Sequence, residues 1–337
     1  MGAVVVQCLS AFACTLALTA LYRRFAADLG LIATVNARSA HDAPTPTGAG
    51  VAFVAIWLIS LLIIPAEVGI LAIIGWLLAA VIGFLDDRSD LPVLPRAGAY
   101  LVASVCCVAV SGFPVLNLGG FELDAGGFGL AFGGVALMWL LNLYNFMDGI
   151  DGIAIGEAIF VLIGVMVVAG EVSLPLVMLA SCCAGFAVLN WPRASVFMGD
   201  VGASFLGLAL GTFALMEVGG SVWVWVILLG YFLTDASLTL TVRLIRGDRV
   251  HEAHSLHAYQ HLSRRFGAAR VLYGVLAVDV FWLLPVAGLA HRTPEIAVYL
   301  VIFAFIPLLV CQFLCGAGQL EPKLGFIRSR GRSETSL

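Results

Sequence analysis

Three groups of carboxylates and one group of histidines in this sequence have the types and spacing of a site that handles phosphate together with a hard cation. The first is Gly83-Phe84-Leu85-Asp86-Asp87-Arg88, where two adjacent carboxylates close an apolar run. Such neighbours repel each other unless a cation lies between them or one keeps its proton, although a solvated helix end would also explain a lone Asp-Asp pair. The second runs from Asn142 through Asn145, Asp148, Gly149, Ile150 and Asp151 to Gly152. Asn142 and Asn145, three apart, would share one helical face, and the glycines predict a turn where backbone approaches a ligand closely. Asp-Gly pairs are ordinary turn formers, but two amides and two carboxylates within ten residues exceed what a turn needs.

The third group begins at Asn190 and passes Phe197, Met198, Gly199 and Asp200 to Gly202, Ala203 and Ser204. Asp200 precedes an apolar run, at a predicted helix start whose free N–H groups favour anions; an aspartate there could equally cap the helix itself. The fourth is His251-Glu252-Ala253-His254-Ser255-Leu256-His257-Ala258-Tyr259-Gln260-His261, which holds four of the six histidines. Its i, i+3, i+6 spacing would line one face of a short helix. Histidine is a common zinc ligand, but the arginines at 243, 246, 249, 264, 265 and 270 favour anion binding. A basic loop lying on anionic lipid would explain the arginines and not the histidine spacing. Taken together, carboxylates on three segments converging on Mg²⁺, which takes oxygen ligands and bridges to substrate phosphates, with arginine and histidine on the phosphates, are the equipment of phosphoryl transfer.

The elements that must position these residues are membrane helices. Of 337 residues 61% are hydrophobic and 11% charged, against about 25% charged in soluble domains. Eleven apolar segments of span length are read: 4–21, 50–64, 68–84, 97–113, 129–145, 153–168, 173–189, 202–216, 222–242, 271–289 and 296–314. Of the 17 lysines and arginines, sixteen fall in loops after odd-numbered segments or in the C-terminal tail, and only Arg292 falls on the other side. By the positive-inside rule the N-terminus is outside, the C-terminus is cytoplasmic, and all four groups face the cytoplasm. The expected fold is a single-domain, all-α polytopic bundle of about eleven transmembrane helices. The eight cysteines lie inside apolar runs without metal or redox spacing and read as packing residues. Arg23-Arg24 follow the first apolar run rather than precede it, so that run reads as a retained helix, not a secretory signal.

The motifs G-F-L-D-D-R, N-F-M-D-G-I-D-G, V-F-M-G-D-V-G and H-x-x-H-x-x-H-A-Y-Q-H, in this order over about residues 38 to 265, resemble the polyprenyl-phosphate N-acetylhexosamine-1-phosphate transferase superfamily. The H-A-Y-Q-H ending is most similar to the branch that starts O-antigen on UDP-GlcNAc, UDP-FucNAc and related donors. The resemblance implies Mg²⁺, or alternatively Mn²⁺, held by Asp200 with Asp86 and Asp87. Asp86 or Asp87 would be the base for the lipid phosphate or, alternatively, a covalent nucleophile. Asp151, Asn190 and Phe197 would hold uridine beside Gly149 and Ile150, supported by Asn145 and Asp148. His251, His254 and His257 would meet the diphosphate or sugar, and Arg38, His41 and Arg243 are phosphate candidates. The implied partners are a UDP-N-acetylhexosamine, undecaprenyl phosphate, membrane lipid and a second copy of the chain, with no nucleic acid. Ala203 stands where the pattern expects serine, and Ser255 where the branch often has arginine.

Two intramembrane acids remain. Asp235 shares a face with Thr239 and Arg243 and is expected to support the site with Arg243; Asp279 is central in the tenth segment. A proton-coupled transporter would use Asp235, Asp279 and Glu157 but would place its site near the bilayer midplane. An intramembrane prenyltransferase would use the first two carboxylate groups and leave the third and the histidines without work.

Overall fold

Apolar runs of this length can satisfy their backbone hydrogen bonds away from water only as helices, and the computed structural model is accordingly almost all helix. It describes residues 2–33, 44–63, 68–249 and 254–320. In chain order the helices are α1 (Gly2–Phe25), α2 (Val51–Ser60), α3 (Ile70–Ser89), α4 (Val93–Ser111), α5 (Gly129–Met147), α6 (Ile153–Ala169), α7 (Leu174–Asn190), α8 (Gly199–Leu215), α9 (Val222–Leu228), α10 (Gly230–Ile245), α11 (Ala258–Phe266), α12 (Ala268–Val278), α13 (Leu284–Arg292) and α14 (Ala297–Leu314). A π-helical turn, Asp279–Leu283, joins α12 to α13. Two-residue antiparallel ladders pair Ile32–Ala33 with Thr45–Pro46 and Leu116–Asn117 with Glu122–Leu123.

A helix that is apolar all round is a core helix. Every residue of α8 from Val201 to Leu215 is buried, and α2, α3, α4, α5 and α6 pack around it. The aromatic cluster of Trp57, Trp76, Phe205 and Phe213 fills the space between α2, α3 and α8. The outer helices turn large apolar side chains away from this core, among them Leu9, Leu77, Val102, Phe132 and Phe303. An apolar surface this extensive belongs against lipid.

Six helices or helix runs among the described residues are long and apolar enough to cross a membrane, and α9 with α10 makes a seventh if counted as one span. Four further segments read as spans, α2, α6, α7 and α8, are apolar helices of only 10–17 residues, shorter than the roughly 20 that a straight crossing needs. The ninth segment departs from expectation. It is not one helix but two, bent by 73° at Leu229. The C-terminal ends of α3, α5, α7 and α10 and the N-terminal ends of α6, α8 and α11 carry the motifs. The bundle thereby gathers the sequence's scattered polar groups at its arginine-rich end.

Candidate active site

The floor of the site is the crossing of α3 and α8. At Gly83 the two backbones touch: a Cβ there would lie 2.4 Å from the Asp200 carbonyl oxygen. One turn on, Asp87 reaches across, and its Oδ1 and Oδ2 accept the backbone N–H groups of Asp200 at 2.9 Å and Val201 at 3.2 Å. Asp87 therefore caps α8 from another helix, and the Asp200 carboxylate, expected as a candidate cap, is left facing the cavity. Gly199 makes this approach feasible. Its φ is +72°, and a side chain would place Cβ 2.4 Å from Asp87 Oδ2. The chain from the Thr45–Pro46 strand onward runs beside it, with Phe197 N–H donating to the Pro46 carbonyl at 2.7 Å and Gly50 N–H to the Met198 carbonyl at 2.9 Å. Tyr22 of α1 holds that chain by donating to the Thr47 carbonyl at 2.6 Å.

Asp86, adjacent in sequence, has a different place. It is 7% exposed and does not line the cavity, although its side chain interacts with that of Asp200. Its Oδ1 accepts Leu91 N–H at 2.7 Å, and its Oδ2 takes the Arg96 guanidinium. Arg96 also lies 3.8 Å from Asp200 Oδ2, so one cation bridges two carboxylates at the edge of the floor. Sequence reasoning counted Arg96 among the loop cations and gave it no role; its ten-residue distance from Asp86 meets only because α3 and α4 form a hairpin.

The opposite wall is the turn between α5 and α6. Asp148 ends α5, and its N–H returns to the Asn145 carbonyl at 3.2 Å. Asp151 Oδ2 accepts the N–H groups of Arg193 and Ala194, both at 3.0 Å, and so ties this turn to the loop after α7. Asn190, the last residue of α7, donates to the Val196 carbonyl at 3.0 Å and is 3% exposed. Its Oδ1 has no hydrogen-bond partner among the described residues. Burial, then the nearby Asp87 and Asp151 charges, push the Asp148 carboxyl up to about 7.

Between floor and wall lies a cavity of about 370 Å³, lined by Thr47, Asp87, Asn145, Asp148, Gly149, Ile150, Asp151, Asn190, Phe197, Met198, Gly199, Asp200 and Gln260. Thr47, Met198, Gly199 and Gln260 had been given no role from sequence, although all but Thr47 stand inside the quoted motifs. Asn142 does not join Asn145 there: its side chain donates to the Met138 carbonyl of its own helix at 2.7 Å. Arg38, His41 and His251 lie outside the described residues.

The histidine group is not a helical face. Its helix, α11, begins only after His257. His254 and His257 precede it as stacked rings, 5.0 Å apart, with Phe146 beside both. Neither lines the cavity. His257 is 1% exposed, with Nδ1 3.5 Å from Asp235 Oδ1. Asp235 accepts the Ala258 and Tyr259 N–H groups at 2.9 and 3.1 Å and the Thr239 hydroxyl at 3.2 Å. Its work is thus to cap α11 from within the bundle. Arg243, expected beside it, donates to the Arg249 carbonyl at 2.8 Å and lies 3.8 Å from Asp248. Burial, then His257 and Arg243, lower His254 to about 3, which keeps it neutral at ordinary pH. Gln260 reaches the cavity from α11, and Tyr259 donates to the Phe146 carbonyl at 3.1 Å.

No three of the described acidic, histidine or cysteine side chains form a ready-made metal cage. The donor set nevertheless fits Mg²⁺. Four carboxylates and three amides line the cavity, with no cationic side chain among the described lining residues. Mg²⁺ is commonly held by one or two carboxylates plus substrate phosphates and water; Asp87 and Asp200 are the pair in place.

A membrane helix bundle with an acidic, phosphate-sized cavity at its arginine-rich end defines a class, and comparison with known proteins agrees with it. Residues 69–218 match the family model for glycosyl transferase family 4. The chain is 26% identical over 313 residues to a probable undecaprenyl-phosphate N-acetylglucosaminyl 1-phosphate transferase of Bacillus subtilis, covering 86% of this chain and 79% of that protein. It is 30% identical over 229 residues to a decaprenyl-phosphate N-acetylglucosaminephosphotransferase of Mycobacterium tuberculosis (58% and 56% covered). It is also 32% identical over 178 residues to a phospho-N-acetylmuramoyl-pentapeptide-transferase of a Picosynechococcus species (46% and 47% covered). The chain thus spans about half the length of the latter two relatives. These matches liken the chain to polyprenyl-phosphate hexosamine-1-phosphate transferases.

Proposed function

We propose that this protein transfers N-acetylhexosamine-1-phosphate from a UDP-sugar to undecaprenyl phosphate at the cytoplasmic face of the inner membrane, releasing UMP. The observation that carries this reading is the convergence on one cavity of Asp87 and Asp200 with Asn190, Phe197, Gly149 and Ile150. The first pair suits a metal-bound diphosphate; the other four suit a flat, hydrogen-bonding base. The buried Asn190 Oδ1 lacks a partner and would accept an N–H such as that of uracil, beside the Phe197 ring.

The reaction forms a bond from a lipid phosphate oxygen to the donor's β-phosphorus and breaks the bond from that phosphorus to the bridging oxygen, which leaves with UMP. Asp87 is the better base. Both carboxylates accept hydrogen bonds, Asp86 from Leu91 N–H and Arg96 and Asp87 from the Asp200 and Val201 N–H groups, but only Asp87 lines the cavity. Mg²⁺, when bound, supplies the positive charge that a cavity lined by Asp87, Asp148, Asp151 and Asp200 needs to admit a diphosphate. The arginine-rich end supports a cytoplasmic site, and the H-A-Y-Q-H segment supports a donor of the UDP-GlcNAc or UDP-FucNAc type and a product that opens an O-antigen-like glycan.

The test is to incubate the purified protein and its Asp200→Asn variant with undecaprenyl phosphate, Mg²⁺ and each donor. UMP and a sugar-diphospholipid, both lost with EDTA and in the variant, are expected. Release of UDP would mean transfer of sugar without phosphate and would overturn the mechanism.

A further inference from the structure

The chain beyond α14 is placed where neither the motifs nor the transfer chemistry accounts for it. After a turn, Ala317, Gly318 and Gln319 lie across the arginine-rich end of α10 and the start of α11. Gly318 N–H donates to the Leu256 carbonyl at 2.8 Å, and the Gly318 carbonyl accepts Arg246 Nη1 at 2.8 Å. The Gln319 carbonyl lies 3.0 Å from His261 Nε2, and the Gln319 side chain donates back to the Phe313 carbonyl of α14 at 2.8 Å. Ala317 is fully buried. Gly318 has a φ of +69°, and a Cβ on it would stand 2.6 Å from Val242 Cβ and 2.8 Å from the Thr239 carbonyl. No larger residue fits between this segment and α10 without displacement.

The chemistry of His261 selects one tautomer. Arg264 Nη2 lies 3.0 Å from His261 Nδ1, and a guanidinium only donates. Nδ1 therefore accepts, and the ring proton sits on Nε2, where it is donated to Gln319. Burial, then Arg264, holds His261 below its ordinary range, so this neutral form is the resident one. One edge of α11 and its lead-in thus grips the chain after α14, while the other presents Gln260 to the cavity and Tyr259 to Phe146.

We propose that residues 317–319 are a positioning strap that holds α11, and with it the cavity-lining Gln260, at its distance from Asp87 and Asp200, so that the end of α14 sets the affinity for the nucleotide sugar. Only the affinity part rests on the transferase reading; the mechanical coupling is tested without it. The experiment uses the full chain in nanodiscs with Gly318→Val, His261→Phe and His261→Gln, the last keeping a side-chain N–H for Gln319. Amide hydrogen exchange is read by mass spectrometry, and steady-state kinetics by UMP release.

Gly318→Val and His261→Phe are expected to speed exchange over residues 256–261 while α3 and α8 keep their protection, with His261→Gln close to the parent. KM for the donor is expected to rise about five- to tenfold, the effect of losing one or two ordinary hydrogen bonds, with kcat within about twofold. Unchanged exchange over residues 256–261 would overturn the proposal. So would equal loss of protection in α3 and α8, which would reveal only general destabilisation, and so would local loosening with KM unmoved. Should the parent protein release no UMP with any donor, the functional reading fails, and the exchange result alone decides the strap.

Discussion

The two sides of the cavity are held by different means. On the carboxylate side, α3 and α8 touch backbone to backbone at Gly83, and Asp87 bonds main-chain N–H groups of α8. On the histidine side, α11 is a nine-residue helix held by the caps from Asp235, the Tyr259 hydroxyl and the segment after α14. Helices locked through their backbones cannot shift without breaking many contacts at once, whereas a short helix held by single hydrogen bonds can be loosened one bond at a time. The rigid side is the one that the proposed chemistry requires to be exact in position; the looser side is suited to admitting and releasing a substrate.

The largest effect should come from removing charge on the rigid side. Asp87→Asn and Asp200→Asn are each expected to lower kcat by roughly 10²–10³-fold, the scale for losing a group that acts on transition-state charge, when UMP release is measured at saturating donor. Asp86→Asn should cost clearly less, because its carboxylate serves Arg96; a loss equal to that of Asp87→Asn in a folded protein would break the distinction between the two neighbours. Gly199→Ala comes next. Its φ of +72° and the 2.4 Å approach to Asp87 predict a stability loss on the order of 1–3 kcal/mol, read as a lower thermal midpoint in detergent.

On the histidine side effects should be smaller and more local. Asp235→Ala removes the acceptor for two N–H groups of α11, and a lost cap costs about 0.5–2 kcal/mol; the expected sign is a higher donor KM with little change in kcat.

The pH response should also come from this side. The folded chain lowers His254 to about 3, while an unfolded chain takes that proton near pH 6.5. Between those values the unfolded state binds more protons, so the contribution to stability is fully present above about 6.5 and declines as pH falls toward 3. The raised Asp148 carboxyl contributes with the opposite sign over the same range, so the His254 share is read as a difference: from pH 7.5 down to 5 the thermal midpoint of the parent should fall relative to that of His254→Asn.

The smallest effect is expected for Asn142→Ala, within about 0.5 kcal/mol and without loss of activity, since Asn142 bonds only its own helix carbonyl. Asn145→Ala, three residues on, removes a cavity-lining amide and should slow turnover. Equal behaviour of the two would show that spacing, not orientation, decides.

Much of the site was legible because its residues occur in short motifs at the ends of apolar runs. Asp148, Asp151 and Asp200 were singled out by type and spacing, Gly149, Ile150, Asn190 and Phe197 by the family resemblance of their motifs, and all line one cavity. What spacing could not tell was which way a side chain points. Asp86 and Asp87 are equivalent in a string of letters; one turns to Arg96 and the other to the N-terminus of α8. His257 read as a substrate contact and is buried against Asp235. The bend at Leu229 was not legible either, since no proline or charge marks it.

By itself the sequence determined the environment and the chemistry: hydropathy calls for helices in lipid because no other open structure satisfies the backbone there, and grouped carboxylates at the helix ends call for a cation and phosphate. Only the tertiary structure decided which carboxylates meet. That choice depends on the Gly83 and Gly199 contacts between residues more than a hundred positions apart, and on a buried aspartate in α10 that sets the start of α11. Local patterns carry the period of a helix and its apolar faces. They carry no information on the rotation and depth at which two helices pack, and those two quantities place the site.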